Sequence, residues 1–341
     1  MKTFVAIDYH KAYSYGTILD QAGQVLRRGR LDNTPQSLCQ FLGEHGGQGC
    51  HAVLEATRNW TLMHDWLEEQ VEQVTLAHPL KVRAIAEARV KTDKIDAATL
   101  AHLLRCDLIP AAHVPAKEAR VMKNLLRHRM FLVMVQTMTK NRIGVLLDRH
   151  PQLLATRPDG ERFGKAHRAW LKQLLLPIDE RRVLRNELAL LEQVRGRIGQ
   201  AEAWIDRVAQ KDPRVNRLMT MPGVGQFLAM LVVAEIDDVR RFPTPQKLHA
   251  YAGLIPSTRS SGGKTFHGRI TREGNRYLRW AMVEAVWPAR RSDESIGRFF
   301  REHEARIGTN KAKVATARRL LTIAYRLLKE GRDYRETDEP S

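Results

Sequence analysis

The chain has 341 residues, a formal net charge of +18 and a sequence pI of about 10.2. This excess of positive charge predicts a polyanionic partner, which is either nucleic acid or an anionic membrane surface. The sequence contains no run of 18 or more apolar residues and no signal-peptide pattern, so we expect no membrane association and favour nucleic acid. The three cysteines have no Cys-x-x-Cys spacing, which argues against a zinc site or a disulfide framework and predicts a cytoplasmic protein.

The charge is unevenly distributed along the chain. Residues 1–116 contain 12 Lys and Arg against 13 Asp and Glu, a net charge of −1, whereas residues 117–256 and 257–335 carry +11 each. The last six residues contribute −3. We therefore predict four parts: a near-neutral domain at 1–116, a helical linker and oligomerisation region at 117–211, a C-terminal domain at 212–335 and a tail at 336–341.

Short strands and helices alternate in the N-terminal third of the chain, and turn-forming residues separate them. We predict five strands, at Thr3–Asp8, Tyr13–Leu19, Gln24–Leu31, His51–Leu54 and Val71–Ala77, with residues 46–49 as a loop. We predict four helices, one from a cap at Asn33 or Thr34 to Glu44, and the others at Thr61–Gln70, Val82–Ala88 and Asp93–Cys106. A sheet that starts with a hairpin and continues with alternating strands and helices is typical of an α/β fold.

Four carboxylates stand at the ends of these elements. Asp8 ends the first strand, Glu55 follows the fourth, and Asp93 and Asp96 lie three residues apart on one face at the start of a helix. Ligand sites in open α/β sheets lie beyond the carboxyl ends of the strands, so Asp8 and Glu55 would share one rim if their strands are neighbours. The alternative is that these acids only cap a helix and end strands in solvent.

Two long helices are predicted in the middle of the chain. Residues 117–149 contain no proline and a single glycine, Gly144, which predicts one helix of roughly 50 Å. Its apolar stripe would consist of Leu125, Leu132, Val135 and Met138. A second helix from Glu180 to Gln210 has apolar residues at three-, four- and seven-residue steps, with an interruption at 195–199. It would form a dimerisation or spacing element, or else an intramolecular hairpin with the first helix.

The C-terminal part contains two candidate phosphate-binding segments. The Pro-Gly-x-Gly turn at 222–225 is similar to a helix-hairpin-helix element, in which exposed backbone N–H groups bind phosphate, although a plain turn between packed helices has the same pattern. Residues 252–279 are rich in Ser, Gly and basic side chains, which predicts a phosphate-attracting loop between two helices. The predicted nucleic-acid-binding residues are Arg259, Lys264, Arg269, Arg272, Arg276, Arg279, Gly223 and Gly225.

Motifs from both ends of the chain resemble one protein family. Ala-Ile-Asp at 6–8, Leu-Glu-Ala-Thr at 54–57 and Lys-Thr-Asp-Lys-Ile-Asp-Ala at 91–97 resemble the acidic motifs of DEDD transposases of the insertion-sequence 110 family, in its 1111-type subgroup. Piv-type DNA invertases are related to this family. One departure is Arg58-Asn59, where the family pattern has a glycine.

The C-terminal half carries further motifs of the same family. Ala-Gly-Leu-x-Pro at 252–256, Ser-Gly-Gly-Lys at 261–264 and Gly-Arg-Ile-Thr-x-x-Gly-Asn-x-x-Leu-Arg at 268–279 resemble its transposase domain. The resemblance implies that the serine before the glycines is a nucleophile that attacks DNA and forms a phosphoserine intermediate. This serine is Ser261, with Ser260 as the alternative.

The resemblance also implies a fold and partners. It implies an α/β N-terminal domain that is RuvC-like, or ribonuclease-H-type, followed by a long helical or coiled-coil middle and a mostly α-helical C-terminal domain. DNA, a non-coding bridge RNA and a homo-oligomer, either a dimer or a tetramer whose subunits share the active site, are the implied partners. The implied location is the bacterial cytoplasm, on the nucleoid when active.

Four acids without a Cys/His cluster select a hard cation, and we predict two Mg²⁺ or Mn²⁺ ions bound by Asp8, Glu55, Asp93 and Asp96. The function predicted from all these residues is that of an insertion-sequence transposase that cuts and rejoins DNA.

Two other functions use the same residues differently. In a metal-dependent junction-resolving nuclease, water would attack the DNA and Ser261 would only contact a phosphate. In a non-catalytic nucleic-acid-binding scaffold, the acids would be helix caps and solvated strand ends.

Overall fold

A computed structural model of the chain describes residues 2–57, 59–86, 92–261, 264–271 and 273–335. The chain divides into two compact units, Met1–Val114 and Pro115–Ser341. Among the helices of these described ranges, none is both long and apolar enough to cross a membrane.

The first unit is built on a mixed five-stranded sheet with the strand order β3-β2-β1-β4-β5. Its strands are β1 (Thr3–Tyr9), β2 (Ser14–Leu19), β3 (Val25–Leu31), β4 (Gly47–Glu55) and β5 (Val71–Ala77). The first three strands form an antiparallel meander, whereas β4 pairs with β1, and β5 with β4, in parallel. The carboxyl ends of β1, β4 and β5 therefore lie at the same edge of the sheet.

Helices cover both faces of this sheet. They are α1 (Pro35–Leu42), α2 (Trp60–Glu68), α3 (Pro79–Ile85) and α4 (Asp93–Arg105), with a short 3-10 helix at Gly43–His45. Alternate residues of β1 point to opposite faces, so Val5 packs into a core with residues of α1 and α2, and Ala6 into a core with residues of α3 and α4. A sheet buried on both faces leaves mainly its edges available for a ligand.

The predicted mixed α/β character of the N-terminal part is confirmed. The main difference is that β4 begins at Gly47, inside the stretch predicted as a loop, because Gly47 pairs with Val71 and donates its N–H to the carbonyl of Gln70. The helix predicted at Val82–Ala88 begins earlier, at Pro79, and residues 87 and 88 lie outside the described ranges.

The second unit is mostly helical. Its helices are α5 (Lys117–Leu147), α6 (Pro151–Leu154), α7 (Lys165–Gln173), α8 (Ile178–Ala209), α9 (Pro213–Met219), α10 (Gln226–Ile236), α11 (Pro245–Ala252), α12 (Arg276–Ser292), α13 (Glu294–Ile307) and α14 (Thr309–Glu330), with a 3-10 helix at Val239–Arg241. A two-stranded antiparallel sheet, β6 (Pro256–Ser261) and β7 (Lys264–Ile270), lies between α11 and α12 in the chain. The main core of this second unit surrounds α10, in which residues 229–236 are all buried.

The two long helices α5 and α8 pack against each other within the chain. Leu188 and Leu191 of α8 lie in one buried cluster with Ile143 and Leu147 of α5. A second cluster contains Ile198 and others of α8 together with Leu132 of α5. The predicted apolar stripe of α8 is therefore used in the intramolecular hairpin that was the alternative to dimerisation.

Two details predicted for the long helices were wrong. Met138, assigned to the apolar stripe of α5, is 56% exposed, because the buried face of this helix runs instead through residues such as Thr139 and Ile143. The expected interruption of α8 does not occur, since Gly196 and Gly199 lie inside one continuous helix whose apolar spacing continues past them.

The segment 252–279, predicted as a loop between helices, contains the β6–β7 hairpin. Its register runs from Pro256 opposite Ile270 to Ser261 opposite Lys264. The backbone groups of these residues therefore bond to one another. Composition did not reveal this pairing, because Ser, Gly and Arg are common in both turns and solvent-exposed strands.

Candidate functional site

Asp8 and Glu55 come together because β1 and β4 are parallel neighbours. The last pair in their register is Ile7 opposite Leu54, so the two acids follow side by side at the carboxyl edge of the sheet. They line a cavity of about 270 Å³ whose wall also includes Asp96, Arg83 and several apolar residues of α3 and α4. The condition stated from the sequence, that the two strands must be neighbours, is met.

Asp93 and Asp96 lie in the first turn of α4, but neither of them caps it. The cap is Thr92, whose hydroxyl accepts a hydrogen bond from the N–H of Ile95 at 3.3 Å. Asp96 lines the same cavity as Asp8 and Glu55, whereas Asp93 accepts a 2.7 Å hydrogen bond from the hydroxyl of Tyr13. Helix capping therefore does not account for these two acids, although both still interact favourably with the helix dipole.

His10 joins Asp8 to Asp93. Its Nε2 lies 3.2 Å from Oδ2 of Asp8 and 3.3 Å from Oδ1 of Asp93. One ligand atom from each of the three residues lies within 4.8 Å of the others. The sequence interpretation missed His10, although a residue two positions after Asp8 on an extended chain points to the same side.

The surroundings of Asp8 make its ionisation more costly. Burial raises the pKa of Asp8, and the charges of Asp93 and Asp96 raise it further, while His10 acts in the opposite direction. The hydrogen bond from Tyr13 lowers the pKa of Asp93. Several carboxylates that are partly withdrawn from water and close to one another favour a cation between them.

These side chains could hold a divalent metal ion. Carboxylate oxygens are the ligands that Mg²⁺ and Mn²⁺ prefer, and the neighbouring cavity leaves room for water or for phosphate oxygens as further ligands. Asp8 is shared by the cavity and by the group that includes His10 and Asp93. The site residues predicted from the sequence in this unit therefore meet around Asp8.

The predicted nucleophile lies in the second unit. Ser261 is the last residue of β6 and is paired with Lys264, the first residue of β7, while Ser260 is paired with Thr265. Arg259 and Arg269 belong to the same two strands. Their side chains, like those of the serines and Lys264, are outside what the structure describes, as are Gly262, Gly263 and Arg272.

Two profiles of known families match the chain. Residues 5–151 match a DEDD transposase profile of the IS110 type, and residues 215–301 match the profile described as transposase IS116/IS110/IS902 family. The first range contains Asp8, Glu55, Asp93 and Asp96, and the second contains Ser261. The chain belongs to the IS110 family of transposases.

Individual relatives agree with this assignment. A Pseudomonas aeruginosa protein that carries the name of a family 20 transposase is 28% identical over 301 residues, which are 84% of this chain and 86% of the relative. The transposase for insertion sequence element IS1111A of Coxiella burnetii is 30% identical over 142 residues, 40% of this chain and 39% of that protein.

A third relative is y4qE of Sinorhizobium fredii, which also carries a transposase name. It is 28% identical over 243 residues, or 70% of this chain and 58% of the relative. The matched segments thus span less than two thirds of the length of two of these three relatives. The resemblance to insertion-sequence 110 transposases found in the motifs is confirmed.

The turn between α9 and α10 contains two glycines, of which one is required for helix packing. Gly223 has a φ of +75°, and a Cβ there would lie 2.4 Å from the carbonyl oxygen of Ala285 and 2.7 Å from the N–H nitrogen of Ala289, both in α12. Gly225 caps α10 and faces open space. Close helix packing thus explains Gly223, while Gly225 leaves the start of α10 accessible to a phosphate.

The two arginines at the start of α12 have different surroundings. Arg276 is exposed and donates a 2.8 Å hydrogen bond to the hydroxyl of Tyr277. Arg279 donates to the carbonyl oxygen of Ala252 at 2.9 Å and packs against Gly253. Arg279 therefore holds the start of the hairpin in place, whereas Arg276 lies on the surface.

Proposed function

We propose that this chain is an insertion-sequence transposase that cuts and rejoins DNA through a covalent serine–phosphodiester intermediate. The observation that carries the proposal is the convergence of Asp8, Glu55 and Asp96 on one cavity, with Asp93 joined to Asp8 through His10, in a chain whose family implies DNA cutting. We assign the nucleophile to Ser261, at the end of β6, with Ser260 as the alternative.

The first unit, in this proposal, has a RuvC-like, ribonuclease-H-type fold. The sheet order β3-β2-β1-β4-β5, with three antiparallel strands followed by two parallel ones, supports this assignment. So do acids at the ends of β1 and β4. The division at residues 1–116, 117–211 and 212–335 is likewise part of the proposal.

Asp8, Glu55, Asp93 and Asp96 would hold Mg²⁺ or Mn²⁺, as two ions. When bound, the ions would stabilise negative charge on the attacking and leaving oxygens of the phosphodiester. The hydrogen bond from Tyr13 holds one oxygen of Asp93 in place, and Nε2 of His10 lies beside Asp8 and Asp93. Such fixed orientation of ligands by neighbouring groups tunes metal affinity.

The reaction consists of two exchanges at phosphorus. In the first, the Oγ of Ser261 forms a bond to the phosphorus atom, the bond from phosphorus to one deoxyribose oxygen breaks, and that oxygen leaves as a hydroxyl with the serine proton. In the second, a hydroxyl of the other DNA strand attacks the phosphoserine and the serine oxygen leaves and regains a proton. No net hydrolysis occurs, so the phosphodiester bond energy is retained.

Serine is a weak nucleophile at neutral pH and needs a partner that lowers the cost of deprotonation. We propose that the acid cluster of one subunit serves Ser261 of another in a homodimer or homotetramer. The excess of basic residues is consistent with binding of two nucleic acids. We assign the second nucleic acid to a bridge RNA encoded by the element.

The catalytic proposal is tested with purified protein and DNA carrying the ends of the element. Ser261→Ala should abolish the covalent protein–DNA adduct, and Asp8→Asn should reduce cleavage by at least about 10³-fold without loss of DNA binding. EDTA should reproduce the effect of Asp8→Asn. Glu44→Gln, which removes a carboxylate that is 85% exposed in the same unit, is the matched control and should keep normal activity.

Two results would contradict the proposal. Cleavage by Ser261→Ala at the normal rate, with no adduct formed by Ser260 either, would assign the attack to water, as in a junction-resolving nuclease. Normal cleavage by Asp8→Asn would show that the acids are helix caps and strand ends without a catalytic role. The RNA assignment is tested separately by sequencing RNA that copurifies with active protein, and recombination by RNA-free protein would overturn it.

A further inference from the structure

The β6–β7 hairpin is fixed at its base by residues that precede and follow it in the chain. The N–H of Thr271, just after β7, donates to the carbonyl oxygen of Ile255, just before β6, at 3.0 Å. The N–H of Asn275 donates to the carbonyl oxygen of Tyr251 at 2.7 Å. A Cβ at Gly274 would lie 2.4 Å from the same oxygen, so the two chain segments are in close contact here.

Asn275 has two functions at this base. Its Oδ1 accepts hydrogen bonds from the N–H groups of Tyr277 and Leu278, both at 3.0 Å, and thereby caps α12. Its Nδ2 donates to Oε2 of Glu235 at 2.7 Å and to the hydroxyl of Tyr251 at 3.2 Å. The cap uses only the oxygen of this amide, so the nitrogen bond to Glu235 serves another purpose.

Glu235 is a fully buried carboxylate on α10, with an exposed fraction of 0%. Arg127 of α5 donates to its Oε1 from Nε at 3.0 Å and from Nη2 at 2.8 Å. Lys123, also on α5 and buried, has its Nζ 4.0 Å from Oε2. A buried carboxylate is costly unless it is paired and hydrogen-bonded, and here both oxygens are fully used.

The network connects the long helix to the base of the hairpin. The guanidinium of Arg127 also lies over the ring of Tyr277, 4.3 Å from its centroid, in the first turn of α12. The hydroxyl of Tyr251 donates to the backbone carbonyl oxygen of Glu235 at 3.3 Å and accepts from Nδ2 of Asn275 at 3.2 Å. Residues of α5, α10 and α11 and the cap of α12 thus meet around Glu235, and two of them, Tyr251 and Asn275, also form the backbone bond at the base of the hairpin.

We propose that Glu235 is a positioning residue, which acts through Asn275 to hold the β6–β7 hairpin in the orientation that presents Ser261 to DNA. This inference rests on the proposed function for the role of Ser261, but the fixing of the hairpin base can be measured without any reaction. Misplacing a reacting group by about 1 Å can cost about 10²-fold in rate, so loss of this bond should reduce strand transfer more than it reduces DNA binding.

The test exchanges the carboxylate of Glu235 and the amide of Asn275 between the two positions. Asn275→Asp keeps an oxygen that can cap α12, but places a second carboxylate against Glu235. In the double variant Glu235→Gln/Asn275→Asp, the bond is reversed, because the glutamine nitrogen donates to the new carboxylate and the pair keeps one amide and one negative charge. The glutamine oxygen can still accept from Arg127 at the position of Oε1, and only the 3.0 Å bond from Arg127 to Oε2 is lost. Glu202→Gln is the matched control, since it removes another arginine–carboxylate pair of α5, that of Arg129 at 2.6 Å, away from the hairpin.

The first readout is hydrogen–deuterium exchange in peptides covering the hairpin base, residues 268–275, of the full-length protein. We expect Asn275→Asp to speed exchange there by about tenfold or more, which is the loss of one buried charge-assisted hydrogen bond in equilibrium terms. Peptides of α8 should be unchanged. The double variant should return to near wild-type exchange, and the Glu202→Gln control should not differ from wild type.

The second readout is the rate of adduct formation at saturating DNA, compared with the Kd for DNA. We expect Asn275→Asp to lower the rate by about 10–100-fold with the Kd changed by less than about threefold, and the double variant to recover most of the rate. A folded Asn275→Asp protein with wild-type exchange and wild-type adduct rate would overturn the proposal. Slower adduct formation by all three variants alike, including Glu202→Gln, would also overturn it.

The exchange measurement and the adduct rate together distinguish a failure of this inference from a failure of the proposed function. If wild-type protein formed no serine adduct at all, the proposed chemistry would fail, while the exchange data would still show whether Glu235 fixes the hairpin. If the adduct formed normally and exchange at residues 268–275 did not depend on the pair, the chemistry would stand and the positioning role would fail.

Discussion

Burial, together with the charge of Arg318, lowers the pKa of the His249 side chain to about 4. The hydroxyl of Thr322 donates to the carbonyl oxygen of Arg318, so it accepts from Nε2 of His249 at 2.9 Å. Nδ1 of His249 is buried and has no hydrogen-bond partner among the described residues. A proton added at Nδ1 would therefore be held without an acceptor.

This histidine predicts acid sensitivity. The unfolded chain gains a proton at His249 near pH 6.5, whereas the folded chain resists it until about pH 4. The stability contributed by the neutral ring is thus present above pH 6.5 and is lost as the pH falls, at about 1.4 kcal/mol per pH unit. Between pH 6.5 and 5, urea denaturation should show a loss of about 2 kcal/mol that is absent in His249→Gln. Equal pH slopes in the two proteins would contradict this prediction.

Among single residues, the sequence predicted the four acids but missed their neighbours. Asp8 and Glu55 could be placed because strand ends and parallel pairing follow from hydrophobic patterns. The alternation of an extended chain could have placed His10 on the side of Asp8, but no local pattern connects Tyr13 with Asp93, 80 positions further along the chain. The contacts of His10 and Tyr13 with Asp8 and Asp93 depend on the antiparallel pairing of β1 and β2, which brings residues 8 and 15 together.

Among the elements, the α5–α8 hairpin gives the clearest test of packing. Leu191 is fully buried against α5, whereas the adjacent Leu190 is 41% exposed. We expect Leu191→Ala to lower the free energy of unfolding by about 2–5 kcal/mol, because it leaves a cavity. Leu190→Ala, the matched control, should change it by about 0.5 kcal/mol or less. Chemical denaturation of both variants checks the difference, and similar losses would contradict the described orientation of α8.

The two glycines in the turn between α9 and α10 allow helix packing and phosphate binding to be tested separately. Gly223→Ala would force a Cβ into the backbone of α12 at a positive φ, and we expect a loss of stability of about 2 kcal/mol or more. Gly225→Ala meets open space and should cost only about 1 kcal/mol or less, as the loss of a glycine N-cap. If this turn seats a phosphate, Gly225→Ala should weaken DNA binding in a filter or anisotropy assay, and unchanged binding would remove Gly225 from the interface.

Element prediction succeeded where periodicity was strong. The ends of α5, which has 31 residues, and of α8, which has 32, were predicted to within two positions. The bounds of β5, Val71–Ala77, were predicted without error. It failed where pairing decides the structure. The start of β4 at Gly47 and the whole β6–β7 hairpin depend on pairing with another strand. The sequence of a glycine-rich or serine-rich segment does not reveal which strand it pairs with.

For the whole molecule, mixing of variants tests whether subunits share an active site. Asp8→Asn and Ser261→Ala proteins should each be inactive, while a mixture should regain activity. In a two-fold dimer with random pairing, half of the dimers are mixed and one of their two sites is intact, which gives about a quarter of wild-type activity. Mixing either variant with the Asp8→Asn/Ser261→Ala double variant is the control. An inactive mixture that still oligomerises would place both halves of the site in one subunit.

The Glu235 network joins residues that are synthesised at different times. Arg127 and Glu235 are 108 positions apart, and Asn275 follows 40 positions later. At about 5–20 residues per second, a ribosome needs roughly 5–20 s to supply the partner of Arg127, whereas the first unit is contiguous and has its own cores. A chain that ends before residue 261 would contain the acidic cluster without the serine, and under the proposed mechanism such a product would be unable to form the covalent DNA adduct.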